Sequence, residues 1–488
     1  MAESGAHAAA VASDTPHTAK ALRRMLIPLA LAQFICSFAG SNMNVMINDI
    51  SNDLDTTVKG VQTAITVFLL VMAALMIPGG KLSDRWGRKR CFTIGLTVYA
   101  VGAVISALSP GLGVLILGNS ILEGVGTAML IPPVYILTTL LYTDVTSRAR
   151  AFGAISGMGG IGAAAGPLIG GLITTAISWR AAFVFQALVI VAILFLTRTL
   201  KDPLPPDPES RPDTVGTVLS AVGLVLVVMG IQAADDNGWL TLALVAVGAV
   251  FLVGFVFHIR SKERKGEEPL LSTSLFRNRT SDLGLVTQNA QWLLLLGTAF
   301  VVSAYLQVVR GYNAIQTGVI FTAATAGILL SSLGAERFAK RRPQRTLILA
   351  GFVTAIAGIV VLLSLVAGRP GVWAFAPGLF LIGFGCGLML TPSVNVVQSS
   401  FPEDQQGEIS GLSRAVSNLG STLGTAIAGT VLVAGIAEGN HSYALAMIVL
   451  GVAGLVGLGA ALLLPRELSP VTAATDAAVT TAPAAPGR

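Results

Sequence analysis

Long apolar runs alternate with short polar connections along almost the whole chain. A helix needs about 20 apolar residues to cross the hydrocarbon core of a bilayer. Fourteen runs approach or exceed this length, at 25–47, 61–79, 91–108, 112–137, 149–175, 181–198, 214–232, 239–257, 282–306, 316–335, 346–366, 373–397, 408–434 and 443–464. Because the hydrocarbon core holds no water, backbone groups there must pair within their own helix. The pattern therefore predicts an all-α membrane protein with 14 transmembrane helices.

Two of the connections are much longer and more polar than the others. Residues 199–213 are rich in proline, and residues 258–281 are strongly charged. These connections divide the fourteen runs into groups of six, two and six. The layout predicts two six-helix halves with an inserted helix pair, and halves paired in this way enclose a central site near the middle of the membrane.

The same connections set the predicted domain boundaries. We place the N-terminal six-helix half at 25–198 and the C-terminal six-helix half at 282–465. Residues 199–281 are then two inserted helices with flanking cytoplasmic linkers. Residues 1–24 and 466–488 are polar and rich in alanine, with few large apolar side chains that could build a core. We expect both to be disordered cytoplasmic tails.

Composition excludes a water-soluble protein. Hydrophobic residues make up 53% of the chain and charged residues only 11%, whereas a soluble domain carries about 25% charged residues. Cys36, Cys91 and Cys386 lie in or beside apolar runs and lack the spacing of a disulfide or a metal site. No phosphate-binding loop occurs, and the four histidines lie in tails or connections. We therefore expect no enzyme activity, no metal and no cofactor.

Basic residues lie mostly in alternate connections. If the N-terminus is cytoplasmic, only Lys59, Arg180, Arg310 and Arg369 of the 31 Lys and Arg residues fall in outer connections. Cytoplasmic loops of membrane proteins carry such an excess. We therefore predict a multi-pass protein of the cell inner membrane with both termini cytoplasmic. The net charge of +6 then reflects topology, so the lipid bilayer is an expected partner and nucleic acid is not.

The connection between the second and third runs, residues 79–90, reads GGKLSDRWGRKR. Its basic residues fit any cytoplasmic loop, but its glycines and Asp84 need another explanation. Gly80 and Gly87 permit a tight turn between two helices, and Asp84 can neutralise neighbouring guanidinium groups. Residues 334–342 look like a degraded copy in the second half, which supports an internal duplication.

The fifth run contains closely spaced glycines and a proline. The motif residues are Gly162, Gly166, Pro167, Gly170 and Gly171. A proline inside a helix removes a hydrogen bond and bends the helix. Glycines give a flat face on which another helix can pack. Helix packing alone remains one explanation of this motif.

Both motifs resemble those of one family. Residues 79–90 resemble the major facilitator superfamily signature G-x-L-x-D-R-x-G-R-K, and the fifth run resembles the antiporter motif of exporters in that superfamily. With fourteen runs, the chain from about Arg23 to Leu464 resembles the EmrB/QacA-like drug:proton antiporters. The resemblance implies a major facilitator fold with 14 helices in a 6+2+6 arrangement. It also implies a conformational latch formed by Gly80, Asp84, Arg85, Gly87 and Arg88.

The chain departs from this family at the residues usually credited with proton handling. Ala39 stands where the first span usually has an Asp, and Ser120 where the fourth span usually has an Arg. Glu123 lies one helical turn from Ser120. An intramembrane carboxylate is costly and is therefore a functional candidate. We predict proton coupling at Glu123, with Asp49 as the second candidate; a structural hydrogen bond between helices is the alternative for Glu123.

A substrate cavity should form between the halves. We assign Asn42, Asn44, Glu123 and Arg414 to it, with Arg414 as a possible partner of Glu123. The amides of the first span can line such a cavity or bond to neighbouring helices, and the sequence favours neither.

The function implied by the resemblance is secondary active export of hydrophobic, often cationic compounds by substrate:proton antiport. The expected partners are a small-molecule substrate, protons and the bilayer, and we expect a monomer. The sequence leaves open a transporter of a lipid, metabolite or natural product, and a non-transporting receptor or scaffold. The latch and the glycine–proline motif favour a moving protein over a scaffold.

Overall fold

The computed structural model describes residues 16–142, 145–200, 202–206, 213–234, 237–339, 343–365, 371–402 and 405–466. Within them, fourteen helices are long and apolar enough to cross a membrane, which confirms the predicted fold class. The first six are α1 Leu22–Val45, α2 Val58–Trp86, α3 Arg88–Ala107, α4 Leu112–Leu141, α5 Arg150–Ala176 and α6 Trp179–Thr199. The inserted pair is α7 Thr214–Gln232 and α8 Gly238–Arg264. The last six are α9 Arg279–Val309, α10 Ala314–Ser332, α11 Gln344–Ser364, α12 Trp373–Gln398, α13 Glu408–Ala434 and α14 Asn440–Leu463.

The predicted N-terminal tail is shorter than expected. Helical backbone begins at Pro16 and runs without a break into the first span, so part of the tail predicted at 1–24 is helix. Extending an existing helix adds a hydrogen bond for each residue without a new nucleation step. The remainder of this tail and the tail at 467–488 lie outside the described residues, as does the end of the degraded copy, residues 340–342.

The two halves repeat one packing pattern. In the first half α1 packs on α5, α4 packs on α2 and α3, and α3 packs on α6. In the second half the corresponding helices pack in the same way: α9 on α13, α12 on α10 and α11, and α11 on α14. The repeat supports the internal duplication predicted from the two loops.

Two seams join the halves, and the pattern of contacts is symmetric. Helix α2 packs against α13, and α5 packs against α10. The inserted pair lies over the first seam, because α7 contacts both α2 and α13 through the buried side chains of Leu70, Val228 and Ala426. Helix α8 packs mainly on α7.

A buried carboxylate fastens the inserted pair at the end of the bundle where α7 begins. Asp213 accepts hydrogen bonds from the backbone N–H groups of Gly216, at 3.1 Å, and Leu270, at 3.2 Å. Its Oδ1 also lies 2.9 Å from His258 Nε2 and 3.7 Å from the Lys262 ammonium. Burial opposes ionisation, but the interactions with His258, Gly216 and Leu270 outweigh it and lower the pKa of Asp213. One side chain therefore ties α7, α8 and the 258–281 connection together.

Helices α1 and α5 approach at backbone distance. Gly162, Gly166 and Gly170 of α5 face α1. A Cβ atom at Gly162 would overlap the carbonyl oxygen of Phe34 and lie 2.9 Å from its carbonyl carbon. A Cβ atom at Gly166 would lie 3.0 Å from the carbonyl oxygen of Phe38. This contact fixes the position of α1 on α5.

The other two residues of the same motif face the opposite half. A Cβ atom at Gly171 would lie 3.0 Å from the carbonyl carbon of Ala314, at the start of α10. Pro167 meets α10 in the same way, since a Cβ atom at Gly318 would lie 3.0 Å from the Pro167 carbonyl carbon. The glycine–proline motif is thus the place where α1, α5 and α10 meet.

Replacing Gly162 with alanine should destabilise the protein, because the new methyl group would meet backbone atoms that cannot rotate away. Overpacking of this kind costs about 1–3 kcal/mol. We expect Gly162→Ala to lower the melting temperature of the purified protein in detergent. The matched control is Gly160→Ala, two residues away, where a Cβ atom meets nothing within 4 Å. Equal melting temperatures for the two variants would contradict the contact.

Candidate functional site

The turn between α2 and α3 depends on a single glycine. Gly87 has φ +90°, a conformation that only glycine adopts without strain. Gly80 was predicted to lie in this turn, but it lies inside α2, which remains helical through Trp86. A Cβ atom at Gly80 would make an ordinary 3.7 Å contact with Pro132. The turn therefore begins seven residues after Gly80, where the helical hydrogen bonds end.

Two aspartates bind the residues around this turn, Asp84 from α2 and Asp202 from the linker after α6. Arg88 donates to Asp84 at 2.8 Å across the turn, so the structure brings together the two charged latch residues. Arg85 is exposed beside them. The backbone N–H groups of Arg88 and Lys89 both donate to one carboxylate oxygen of Asp202, at 2.7 and 3.2 Å.

Asp202 thus supplies the cap that Gly87 lacks, because glycine has no side chain that can accept from the first turn of α3. The Arg88 guanidinium also donates to the Pro205 carbonyl at 3.4 Å. The linker after α6 is therefore attached to the α2–α3 turn. Sequence reasoning missed Asp202, since an acid among prolines gives no signal of a partner 114 residues away.

A cavity lies between the two halves, and one face of α1 lines it. That face consists of Gln33, Cys36, Ser37, Gly40, Ser41 and Asn44. Their spacing of three and four residues is that of a single helical face. The sequence left open whether the amides of the first span line a cavity or bond to neighbouring helices, and the structure places Asn44 on the cavity.

A second polar stripe comes from the other half. Arg414, Ser417, Asn418 and Ser421 of α13 line the cavity, again at helical spacing. Sequence reasoning found Arg414 but missed the others, although their spacing was visible in the sequence. The remaining wall is mostly apolar and includes Leu69, Met72, Met76, Leu295, Ile328 and Ile382, together with the aromatic side chains of Trp292 and Phe321.

We call the end of the bundle where α1 begins at Leu22 and α14 ends at Leu463 the tail face, and the opposite end the far face. Hydrogen bonds between the halves close the cavity toward the far face. Gln307 donates to the Asn44 carbonyl at 2.7 Å and accepts from the Asn48 N–H at 3.2 Å. Gln62 of α2 donates to the Thr425 carbonyl of α13 at 3.0 Å.

A different contact joins the halves closer to the tail face. The Arg414 guanidinium lies over the ring of Tyr135, with its central carbon 4.5 Å from the ring centroid, and donates to the Tyr135 hydroxyl. Tyr135 in turn donates to Gln33 at 3.2 Å. This chain of contacts links α13 to α4 and α1 across the cavity.

Glu123 lies outside the described cavity lining. It ends a π-helical segment, Ile116–Glu123, and its side chain is fully buried facing Tyr99 and Ser106. Neither carboxylate oxygen makes a hydrogen bond of normal geometry with a described residue, although the hydroxyl groups of Tyr99 and Ser106 lie close enough to interact with it. Cys36 lines the cavity and lies within electrostatic reach of Glu123.

Two predicted cavity assignments differ from the structure. Glu123 and Asn42 are absent from the described cavity lining, whereas Asn44 and Arg414 belong to it. Arg414 pairs with Tyr135 rather than with Glu123, because Glu123 points toward α3, away from α13. Asn42 faces the glycines of α5, and neither its amide nitrogen nor its oxygen has a described hydrogen-bond partner.

The second acidic candidate lies at the far face, outside the spans. Asp49 is part of a short helix, Ile47–Asp53, that follows α1, and burial raises its pKa. Asp53, in the same helix, is held by Arg180 and by the Trp179 indole N–H at 2.9 Å. These donors lower the pKa of Asp53. The Trp–Arg pair thus anchors the short helix Ile47–Asp53 to the start of α6.

Comparison with known proteins identifies similar chains. A sequence model of the Major Facilitator Superfamily matches residues 29–425 and 283–487. The puromycin resistance protein of Streptomyces alboniger is 30% identical over 412 residues, 83% of this chain and 81% of that protein. The multidrug efflux pump LfrA of Mycolicibacterium smegmatis is 29% identical over 371 residues, 76% and 73% of the two chains. The probable actinorhodin transporter of Streptomyces coelicolor is 27% identical over 406 residues, 80% and 69%.

Solved structures share the fold. The peptide transporter POT, crystallised with sulfate, superposes with a TM-score of 0.65 at 18% identity, covering 91% of this chain and 95% of that one. A mutant of the nucleoside transporter NupG gives a TM-score of 0.62 at 14% identity, covering 90% and 99%. At this identity the likeness describes the fold alone.

Removal of the Asp202 carboxylate should loosen the α2–α3 turn. Loss of a capping side chain costs about 0.5–2 kcal/mol, so Asp202→Ala should leave the protein folded. Amide hydrogen exchange followed by mass spectrometry should become faster in peptides that cover the start of α3. Glu267→Ala removes an exposed acid from the other long connection and serves as the control. Unchanged exchange at α3 in Asp202→Ala would show that the cap is dispensable.

Proposed function

The chain belongs to the Major Facilitator Superfamily, and we propose that it is a secondary active exporter that exchanges hydrophobic compounds for protons at the inner membrane. The named relatives are a resistance protein, an efflux pump and a transporter, which supports small organic molecules as cargo. The mostly apolar cavity between the halves supports the same class of substrate.

The proposal of proton exchange rests on the burial of Glu123. An uncompensated buried charge costs several kcal/mol, so a carboxyl group that makes no described hydrogen bond of normal geometry fits its pocket in the neutral, protonated form. Cys36 lines the cavity and lies within electrostatic reach of Glu123. A shift of α1 would admit water past Cys36 and allow the proton to leave. Proton transfer and substrate movement would then share one helix.

The conformational cycle follows from the two closures. The far face is sealed by Gln62 and Gln307, while Arg414 and Tyr135 meet nearer the tail face. If the tails are cytoplasmic, the protein is closed to the outside in this state. Opening outward requires the Gln62 and Gln307 bonds to break, and the Asp84–Arg88 pair would hold the cytoplasmic turn during that movement.

Glu123→Gln should abolish proton-driven export, because the amide keeps the shape of the side chain but cannot carry a proton. Inside-out membrane vesicles with an acid interior would be offered puromycin, ethidium and pyrenebutyrate. We expect wild-type vesicles to accumulate at least one compound while the gradient lasts, and Glu123→Gln vesicles to accumulate none above the level seen after the gradient collapses.

Asp49→Asn is the control for this experiment, since it removes the other acidic candidate at the far face. It should retain gradient-driven accumulation. Loss of accumulation in Asp49→Asn with normal accumulation in Glu123→Gln would assign coupling to Asp49. Accumulation that ignores the gradient in all three proteins would contradict exchange for protons.

The orientation can be tested with two cysteines at exposed positions on opposite faces, Glu267 and Asn52. The three native cysteines are buried, so they should add little background. In intact cells a membrane-impermeant maleimide should label Asn52→Cys but not Glu267→Cys, and inside-out vesicles should give the reverse. Labelling of Glu267→Cys from outside would place the tails outside.

A further inference from the structure

The charge of the cavity is one-sided. Among the described residues that line it, Arg414 is the only charged side chain, and none is acidic. Glu123, a buried acid within electrostatic reach of the cavity-lining Cys36, is absent from the described lining. A hydrophobic cation entering the cavity would meet a like charge without a compensating carboxylate. The cationic cargo implied by the family resemblance therefore finds no support in the described lining.

Most N–H groups of the Arg414 guanidinium have no described acceptor. Its guanidinium makes one described hydrogen bond, to the Tyr135 hydroxyl, and no carboxylate lies within ion-pair distance among the described residues. A guanidinium presents several N–H groups in a planar fork that matches a carboxylate. One helical turn along α13, the Asn418 side chain also lines the cavity and has no described hydrogen bond.

We propose that the cavity selects amphipathic anions, with a carboxylate or a similar oxyanion held by Arg414 and Asn418 and an apolar body against the apolar part of the wall. Ionised hydrogen bonds of this type are about twice as strong as neutral ones. Trp292 and Phe321 provide flat apolar surface for the body of the substrate. Hydrophobic contact with the remaining wall makes the apolar part necessary as well.

Binding of an anion would also act on the conformational cycle. Tyr135 is the described partner of Arg414 across the halves, and a carboxylate is a stronger acceptor for a guanidinium than a phenol hydroxyl. An anionic substrate would replace Tyr135 and release the contact between α4 and α13. Substrate recognition and separation of the halves on the tail side would then depend on the same side chain.

One consequence of anion selection rests on the proposed function, exchange of the substrate for protons. An anion that leaves the cell while a proton enters moves charge in the same electrical direction, so the membrane potential would drive the exchange together with the proton gradient. A cation exchanged for one proton would move no net charge. The charge of the substrate therefore decides which component of the gradient matters.

The test uses three probes with one apolar body: 1-pyrenebutyrate, 4-(1-pyrenyl)butanol and a pyrenebutyl trimethylammonium. Binding to purified protein is followed by energy transfer from tryptophan, since Trp292 lies in the cavity wall. We expect pyrenebutyrate to bind wild type at least about tenfold more tightly than the ammonium, which corresponds to about 1.4 kcal/mol. Arg414→Gln should lose about tenfold for pyrenebutyrate and leave the alcohol unchanged.

Two variants separate charge from packing. Arg414→Lys keeps the positive charge and should retain most of the anion preference, whereas Tyr135→Phe removes the cross-half hydrogen bond and should not weaken anion binding. Arg260→Gln, which neutralises an exposed residue of α8, should behave as wild type. If Arg414→Gln binds no probe, the lysine variant decides: retained preference supports the proposal, and lost preference with normal alcohol binding overturns it.

Failure of this inference can be told apart from failure of the proposed exchange. Tighter binding of the ammonium, or unchanged pyrenebutyrate affinity in a folded Arg414→Gln protein, would overturn anion selection. Gradient-driven export of the ammonium alone would overturn it too and leave the exporter intact. Selective, Arg414-dependent pyrenebutyrate binding without gradient-driven movement of any probe would support anion selection and contradict proton exchange.

Discussion

Helices in a bilayer gain little by hiding apolar side chains from one another, because lipid tails are as apolar as leucine. Close backbone contact takes over that role, and here α5 provides it on two faces. Gly162 and Gly166 bring it against α1, and Gly171 against the start of α10. Because α1 carries one polar stripe of the cavity, the position of the stripe depends on glycines that are absent from the described cavity lining.

The architecture could be predicted from sequence because hydropathy sums over about 20 residues, so single misplaced residues do not alter it. The site depends on the direction in which each side chain points, and hydropathy does not record that direction. The π-helical segment Ile116–Glu123 departs from the 3.6-residue period, so helical spacing could place Glu123 at the correct depth but not on the correct face. Gly80 and Asp202 show the same limit, since their roles depend on where α2 ends and on a distant acceptor.

The hydrogen bonds that join the halves at the far face are few and individually weak. A neutral hydrogen bond contributes about 0.5–1.5 kcal/mol, so the bonds of Gln62 and Gln307 give the far face a seal of a few kcal/mol. States that differ by this amount exchange readily, and a bound ligand can shift their populations. Such weak bonds suit a far face that opens, whereas the backbone contact of α5 with α10 holds the halves together along the other seam.

The inserted pair has a consequence for molecules dissolved in the membrane. Helix α7 lies along the seam between α2 and α13, while in the described part of the chain no spanning helix covers the α5–α10 seam in a comparable way. A hydrophobic compound that diffuses within a lipid leaflet therefore meets two seams that are covered differently. One seam is covered by a helix that Asp213 fastens, whereas among the described helices the other is closed only by the direct packing of α5 on α10, so separation of these two helices alone would open that side of the bundle to the lipid.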